Sequence, residues 1–158
     1  MPLSSDIVGM HYRYPDFYEV GREKVREYAV AVKNDDAAFH EESAAADLGH
    51  DSLPAPLTFI SIFGYTAQTA FFENANIGIT DSQIVQVDQE FRFLQPIKVG
   101  DRLFCDVYVD SYRQAHGTDI IVTKNIITND KGEAVQEAYT TLAGRSDESG
   151  EGFSNGTA

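Results

Sequence analysis

The sequence predicts an α+β fold in which an antiparallel sheet wraps around one long central helix. Three observations carry that prediction. The segment LTFISIFGYTAQTAFFEN, residues 57–74, is apolar nearly all the way round a helical wheel, the pattern of a buried helix. The chain after it runs in long stretches where apolar and polar residues alternate, the period of strands with one covered face. Short turns rich in Gly, Asn and Asp separate those stretches, which predicts an antiparallel meander of four consecutive strands.

Each element follows from its own pattern. Val20 to Lys33 reads as a helix, with Val25, Tyr28, Ala29 and Val32 on one stripe and Arg22, Glu23, Lys24, Arg26 and Glu27 opposite. Asn34, Asp35 and Asp36 end it, because such side chains bond their own backbone in competition with the helix. A short helix over Glu41–Leu48 stops at Gly49, a residue suited to the left-handed position after a helix. Pro54 and Pro56 stiffen the approach to the central helix, on which Leu57, Ile60, Gly64, Ala67 and Phe71 share a stripe. In IVQVDQEFRF, Val85, Val87, Phe91 and Phe93 fall on one face and Gln86, Asp88, Glu90 and Arg92 on the other. Leu103, Cys105, Val107 and Val109 repeat the alternation. The β-branched run Thr118–Thr128 and the stretch Ala134–Ala143 complete the meander, with turns at Val99–Gly100–Asp101, His116–Gly117 and Asn129–Gly132. A sheet of this kind leaves edges that need pairing or covering, so an oligomer is expected.

Length and composition bound the rest. A chain of 158 residues fits one domain, expected over residues 1–145. At this size folding hides roughly 70% of the surface the open chain exposes, enough for one core without cross-links. The Gly-, Ser- and acid-rich residues 146–158 bury too little to offset their ordering entropy and are expected to be disordered. A single cysteine, Cys105, excludes an internal disulfide and fits a reducing cytoplasm. The N-terminal stretch has no basic start and no long apolar run, so no signal peptide is expected, and nothing is apolar for long enough to span a bilayer. The formal charge of −13 argues against nucleic acid and anionic lipid as partners, since both bind through cationic surfaces. No His, Cys, Asp and Glu set has the spacing of a metal site, and no cofactor is expected.

The stretches REYAVAVKNDDAAFHEE, APLTFISIFGYTAQTAFF, QEFRFLQPIKVGDRLFCDVYV and AYTTLAGR resemble the hot-dog fold. Within it the chain is similar to the MaoC-like (R)-specific enoyl hydratases and 3-hydroxyacyl dehydratases. The similarity is greatest to the A-type subunits of the (3R)-hydroxyacyl-acyl-carrier-protein dehydratases of mycolic-acid-producing bacteria, and it runs from about Ile7 to Arg145. The family's catalytic stretch reads Gly-Asp-x-Asn-Pro-x-His. Here Asn34 stands for the Gly, Ala37 for the Asn and Ala38 for the Pro, while Asp35 and His40 keep the two chemical positions. The family's Ala-His-Gly at the mouth of the central helix falls on Ala55, Pro56 and Leu57.

The resemblance implies dehydration of a (3R)-hydroxyacyl thioester, or hydration of a trans-2-enoyl one, in type II fatty acid and mycolic acid elongation. Such chemistry needs one group to take the C2 proton and another to protonate the departing C3 hydroxyl. An imidazole and a carboxylate suit these steps, and the resemblance assigns them to His40 and Asp35 without saying which does which. Charge on the thioester oxygen would be met by backbone N–H groups at the start of the central helix, Leu57 or Thr58. Phe59, Ser61, Phe63 and Gly64 are the candidate lining of an acyl-chain channel. The packing reading stands beside each: a polar turn for Asp35 and His40, close helix–sheet contact for Ser61 and Gly64, core for the phenylalanines. His11, His50 and His116 fit turn and surface roles.

Two functions remain open at this level. The chain is either itself a hydro-lyase, or the acyl-chain-binding partner of a catalytic B-type hot-dog subunit, the arrangement that the resembled heterodimers use. The retained Asp35 and His40 favour the first, and the lost Asn and Pro the second. The implied partners are an acyl thioester on acyl carrier protein or coenzyme A, and a second hot-dog subunit in a homodimer or heterodimer. A hot-dog thioesterase, which commonly uses a carboxylate on the central helix, is disfavoured because residues 57–72 contain no Asp or Glu.

Overall fold

The central helix organises the molecule, a computed structural model that describes residues 3–79 and 83–145. Helix α3 spans Ser61–Ala75 and ends at Asn76, whose left-handed backbone (φ +50°) closes it. Phe63, Ala67, Phe71 and Phe72 are buried on it. They pack among Leu103, Cys105, Val107, Ile121, Ile127 and Leu142 of the sheet, forming one core. The predicted start at Leu57 is four residues early. After Pro54 and Pro56 the chain turns through i→i+3 bonds, from Phe59 N–H to the Pro56 carbonyl and from Ser61 N–H to the Thr58 carbonyl. The helix is also not enclosed all round: Ser61, Tyr65 and Thr66 are exposed along one side, and Leu57 is 64% exposed.

Two N-terminal elements precede it. Helix α1 covers Arg22–Ala31, shorter than predicted at both ends, with Val25 and Ala29 buried as expected and Val32 exposed. Helix α2 covers Glu42–Asp47 and is followed by Gly49 at φ +89°. The Arg22 guanidinium bonds both carboxylate oxygens of Glu42, tying the start of α1 to the start of α2. That bond holds the Glu42 carboxyl down to about 2.

The sheet is antiparallel and the fold is hot-dog. Its strands are β1 (His11–Arg13), β2 (Tyr18–Glu19), β3 (Ile84–Phe93), β4 (Arg102–Ala115), β5 (Thr118–Thr128) and β6 (Ala134–Arg145), in the order β1-β4-β5-β6-β3, with β2 also on β4. The predicted four-stranded meander is therefore wrong in one connection. β4, β5 and β6 are joined by hairpins, but β3 lies beside β6 at the far edge. The chain from Leu94 to Asp101 crosses the end of the sheet, where Leu94 and Gln95 N–H both bond the Val135 carbonyl, and Ala55 N–H bonds that of Ile97. Local alternation does not encode which strand pairs with which. β1 and β2 were not foreseen; they are too short to show a period.

Along β4 the alternation holds: Leu103, Cys105, Val107 and Val109 are all buried. Along β3 it does not. A bulge between Gln86 and Asp88 breaks the register against β6, so Val85 and Val87 are exposed at 65% and 58%, while Phe91 turns towards the helix. The β4–β5 hairpin turns through His116 and Gly117, both at positive φ, as two-residue hairpins require. The predicted disordered tail, residues 146–158, lies outside the described residues.

Candidate functional site

One cavity lies at the turn before α3 and another along α3, and of the predicted site residues only Leu57 lines the first and only Ser61 and Gly64 line the second. The outer one, of about 400 Å³, opens at the helix mouth, lined mainly by apolar groups including Phe39, Leu48, Leu57 and Phe93. Asp36 and His50 also line it. The inner one, of about 230 Å³, lies between α3 and strands β3, β5 and β6. Ser61 and Gly64 line it from the helix, and Gln89, Phe91, Asn125 and Thr140 from the sheet.

Asp35 and His40 stand on the loop between α1 and α2. The Asp36 carboxylate accepts the Ala38 N–H (3.0 Å) and starts a single 3₁₀ turn, Ala37–Phe39, that ends at His40. Ala38 is buried beneath it, so a small residue fills the place where the family has proline. His40 is half-buried, and its Nε2–H donates to the Asn34 carbonyl at 3.0 Å. A neutral imidazole held that way carries its lone pair on Nδ1, the atom available to take a proton. Asp35 is exposed, and neither it nor His40 lines either cavity.

Leu57 and Thr58, the candidate oxyanion donors, sit in the turn ahead of α3 rather than in its first helical residues. Among the described residues their N–H groups bond no backbone carbonyl, while those of Phe59 and Ser61 do. The Thr58 hydroxyl lies 2.7 Å from the Tyr28 hydroxyl, which fixes this turn against α1. Phe59 and Phe63 line neither cavity. They are buried against Tyr18, Tyr28 and Tyr14, with ring centroids 5.4–6.1 Å apart, and serve as core.

The inner cavity holds what sequence reasoning missed. Gly64 packs closely on Asn125: a Cβ on Gly64 would stand 3.1 Å from Asn125 Nδ2, tighter than ordinary contact. Thr123 donates to the Gln68 carboxamide oxygen at 2.7 Å, and Thr140 donates to that of Gln89 at 3.1 Å. The signal was present. Asp119, Thr123 and Asn125 occupy the buried phase of β5, where a strand that is merely core would carry aliphatic residues. Cys105 is no part of either cavity; burial pushes its thiol up to about 12. Among the described residues no group of His, Cys, Asp and Glu could hold a metal ion, and no helix is long and apolar enough to cross a membrane.

By comparison with known proteins the chain falls in a dehydratase-region family. The family described as "FAS1-like, dehydratase domain region" matches residues 6–138. A UPF0336 protein of Mycobacterium tuberculosis is 68% identical over 158 residues, covering all of both chains. A chain in the crystal structure of the C-terminally truncated HadBC (3R-hydroxyacyl-ACP dehydratase) complex of Mycobacterium tuberculosis is 51% identical. It superposes with a TM-score of 0.82 over 90% of this chain and 100% of that one. A structure described as a MaoC-like dehydratase is 38% identical with a TM-score of 0.82, covering 88% of this chain and 42% of the other.

Proposed function

We propose, because the chain belongs to the FAS1-like dehydratase domain family, that it is a subunit of a (3R)-hydroxyacyl-acyl-carrier-protein dehydratase working in type II fatty acid and mycolic acid elongation. The observation that carries this reading is the match, 51% identical over 90% of this chain, to a chain of the HadBC (3R-hydroxyacyl-ACP dehydratase) complex. The reactive unit is the hot-dog body of residues 1–145, in the cytoplasm, paired with a second hot-dog subunit. The substrate is an acyl thioester on acyl carrier protein or coenzyme A.

In this reading the thioester carbonyl sits at the turn before α3, where the Leu57 and Thr58 N–H groups meet the charge that develops on its oxygen. His40, anchored through Nε2, presents Nδ1 for proton transfer, and Asp35 is its partner carboxylate. The acyl chain runs along α3 past Ser61 and Gly64.

A second reading makes the chain the acyl-binding subunit, with catalysis on the partner. It is favoured by one observation: Asp35 is exposed and His40 is held by a backbone carbonyl, with neither on a cavity wall. The test is hydration of a medium-chain trans-2-enoyl-CoA by the chain alone, by the His40→Ala variant, and by the chain with a B-type partner. Activity alone that falls at least 100-fold in the variant supports catalysis here. Activity only with the partner, indifferent to His40→Ala, supports the binding role. Activity in neither setting rejects the dehydratase reading.

A further inference from the structure

We propose that the inner cavity binds a thin, flexible chain that carries a hydrogen-bond donor, a hydroxyl or an amide N–H, and that Asn125 is the residue that selects it. The proposal rests on the thioester reading above and adds the chemistry of what lies along α3.

An acyl channel for plain alkyl chains is expected to be apolar, because a polar wall gains nothing from methylene groups and loses its contact with water. This cavity has Ile60, Phe91, Ile127 and Ala138 on its walls, but carboxamides and hydroxyls stand among them. Three of those polar side chains are already bonded within the protein. Gln68 accepts from Thr123, and Gln89 accepts from Thr140 while its own Nε2–H donates to the Tyr139 carbonyl. Asn125 is different. Its residue is 3% exposed, its Nδ2–H makes a long bond of 3.4 Å to the Gly64 carbonyl, and its Oδ1 has no partner. A buried acceptor left without a donor costs about 1–3 kcal/mol, and Asn125 is among the residues lining the cavity, so a ligand that brings a donor to this side chain would relieve that cost.

The direction of the missing bond defines the ligand. Oδ1 only accepts, so the ligand group must donate: an alcohol or a secondary amide fits, whereas a ketone, an ether or an alkyl chain does not. Position narrows it further. Gly64 stands six positions after Thr58, which at about 1.5–2 Å per residue through the turn and the helix is about 9–12 Å along the axis. A thioester held at the turn would therefore present Asn125 with a group well beyond its reacting carbons. That group is either a hydroxyl on the distal acyl chain or, with the thioester threaded the other way, an amide of its pantetheine arm.

The test uses the full ¹⁵N-labelled chain and three probes: methyl decanoate, the same ester with a hydroxyl on the eighth carbon, and pantetheine. Binding is followed through the Asn125 side-chain amide signals, and the affinities are repeated with Asn125→Leu. The hydroxylated ester should bind about three- to tenfold more tightly than the plain one, and the ratio should fall to about one in Asn125→Leu. Pantetheine binding that moves the Asn125 signals and is lost in the variant would support the same donor chemistry with the arm as its source. Equal affinity of the wild-type chain for both esters, with pantetheine leaving Asn125 unmoved, overturns the proposal. That comparison needs no variant, so it stands even if Asn125→Leu folds poorly. Hydration of a medium-chain trans-2-enoyl-CoA by the chain with a B-type partner is measured in parallel. Its absence would reject the dehydratase reading while leaving the binding result to stand or fall by itself.

Discussion

The inner cavity and the loop of residues 34–42 are built on opposite principles. The cavity is held by a buried helix, three strands and side-chain bonds between Thr123 and Gln68 and between Thr140 and Gln89. The loop is held by a few contacts near the surface: a 3₁₀ turn capped by the Asp36 carboxylate, one His40–Asn34 bond, and the exposed Arg22–Glu42 pair at its far end. Buried, interlocked groups keep one geometry without help. An exposed loop with two alanines in place of stiffer residues leaves its geometry to whatever packs against it. This is why the cavity suits selection within the chain, whereas the proposed catalytic use of the loop calls for a neighbour that fixes it.

Mutations can break that contrast. Phe71→Ala, in the shared core under the cavity, should cost about 3–5 kcal/mol by chemical denaturation. Asp35→Ala, on the loop, should change stability by no more than about 0.5 kcal/mol. A loop substitution as costly as the core one would show that the loop is far more tightly integrated than its exposure indicates. Gly64→Ala should destabilise by about 1–2 kcal/mol, the overpacking against Asn125 exceeding the gain in helix propensity. Combined with Asn125→Ser the penalty should shrink, and a double-mutant cycle measures the coupling. A cycle with no coupling would mean that the helix shifts rather than pressing on Asn125.

Smaller effects sharpen the same comparison. Cys105 should resist a thiol reagent in the folded protein at pH 8 and react within seconds once denatured, because burial raises its pKa and blocks access. Fast native labelling would reveal opening of the core near β4. The smallest effect belongs to the loop's anchor. The Glu42 pKa is lowered in the fold, so its contribution is present in full above the ordinary value of 4.5 and is lost as pH falls towards 2. Glu42→Gln should therefore remove a modest acid-side slope in stability measured between pH 5 and pH 2. An unchanged slope would mean that Arg22 and Glu42 do not hold the loop in solution.

Much of this was legible before any coordinates. Periodicity located α1, α3 and the four long strands, and turn residues located the hairpins at His116–Gly117 and Asn129–Gly132. The hot-dog resemblance held, on the family match and the structural similarity. The limits were physical. The bulge at Val87 moved Phe91 to the opposite face from Val85 and Val87, and no alternation rule anticipates an added residue. The prolines before α3 displaced its start by four residues.

By itself the sequence determined which of the long segments are helix or strand and, apart from the bulged β3, which of their faces are apolar, since those follow from side-chain spacing along a single element. Only the tertiary structure decided that β3 pairs with β6, that Gly64 lies against Asn125, and that Asp35 faces solvent while Asn125 faces a cavity. Those are relations between residues far apart in the chain. They are fixed by how one helix and one sheet can share a core, and spacing along either element carries no record of them.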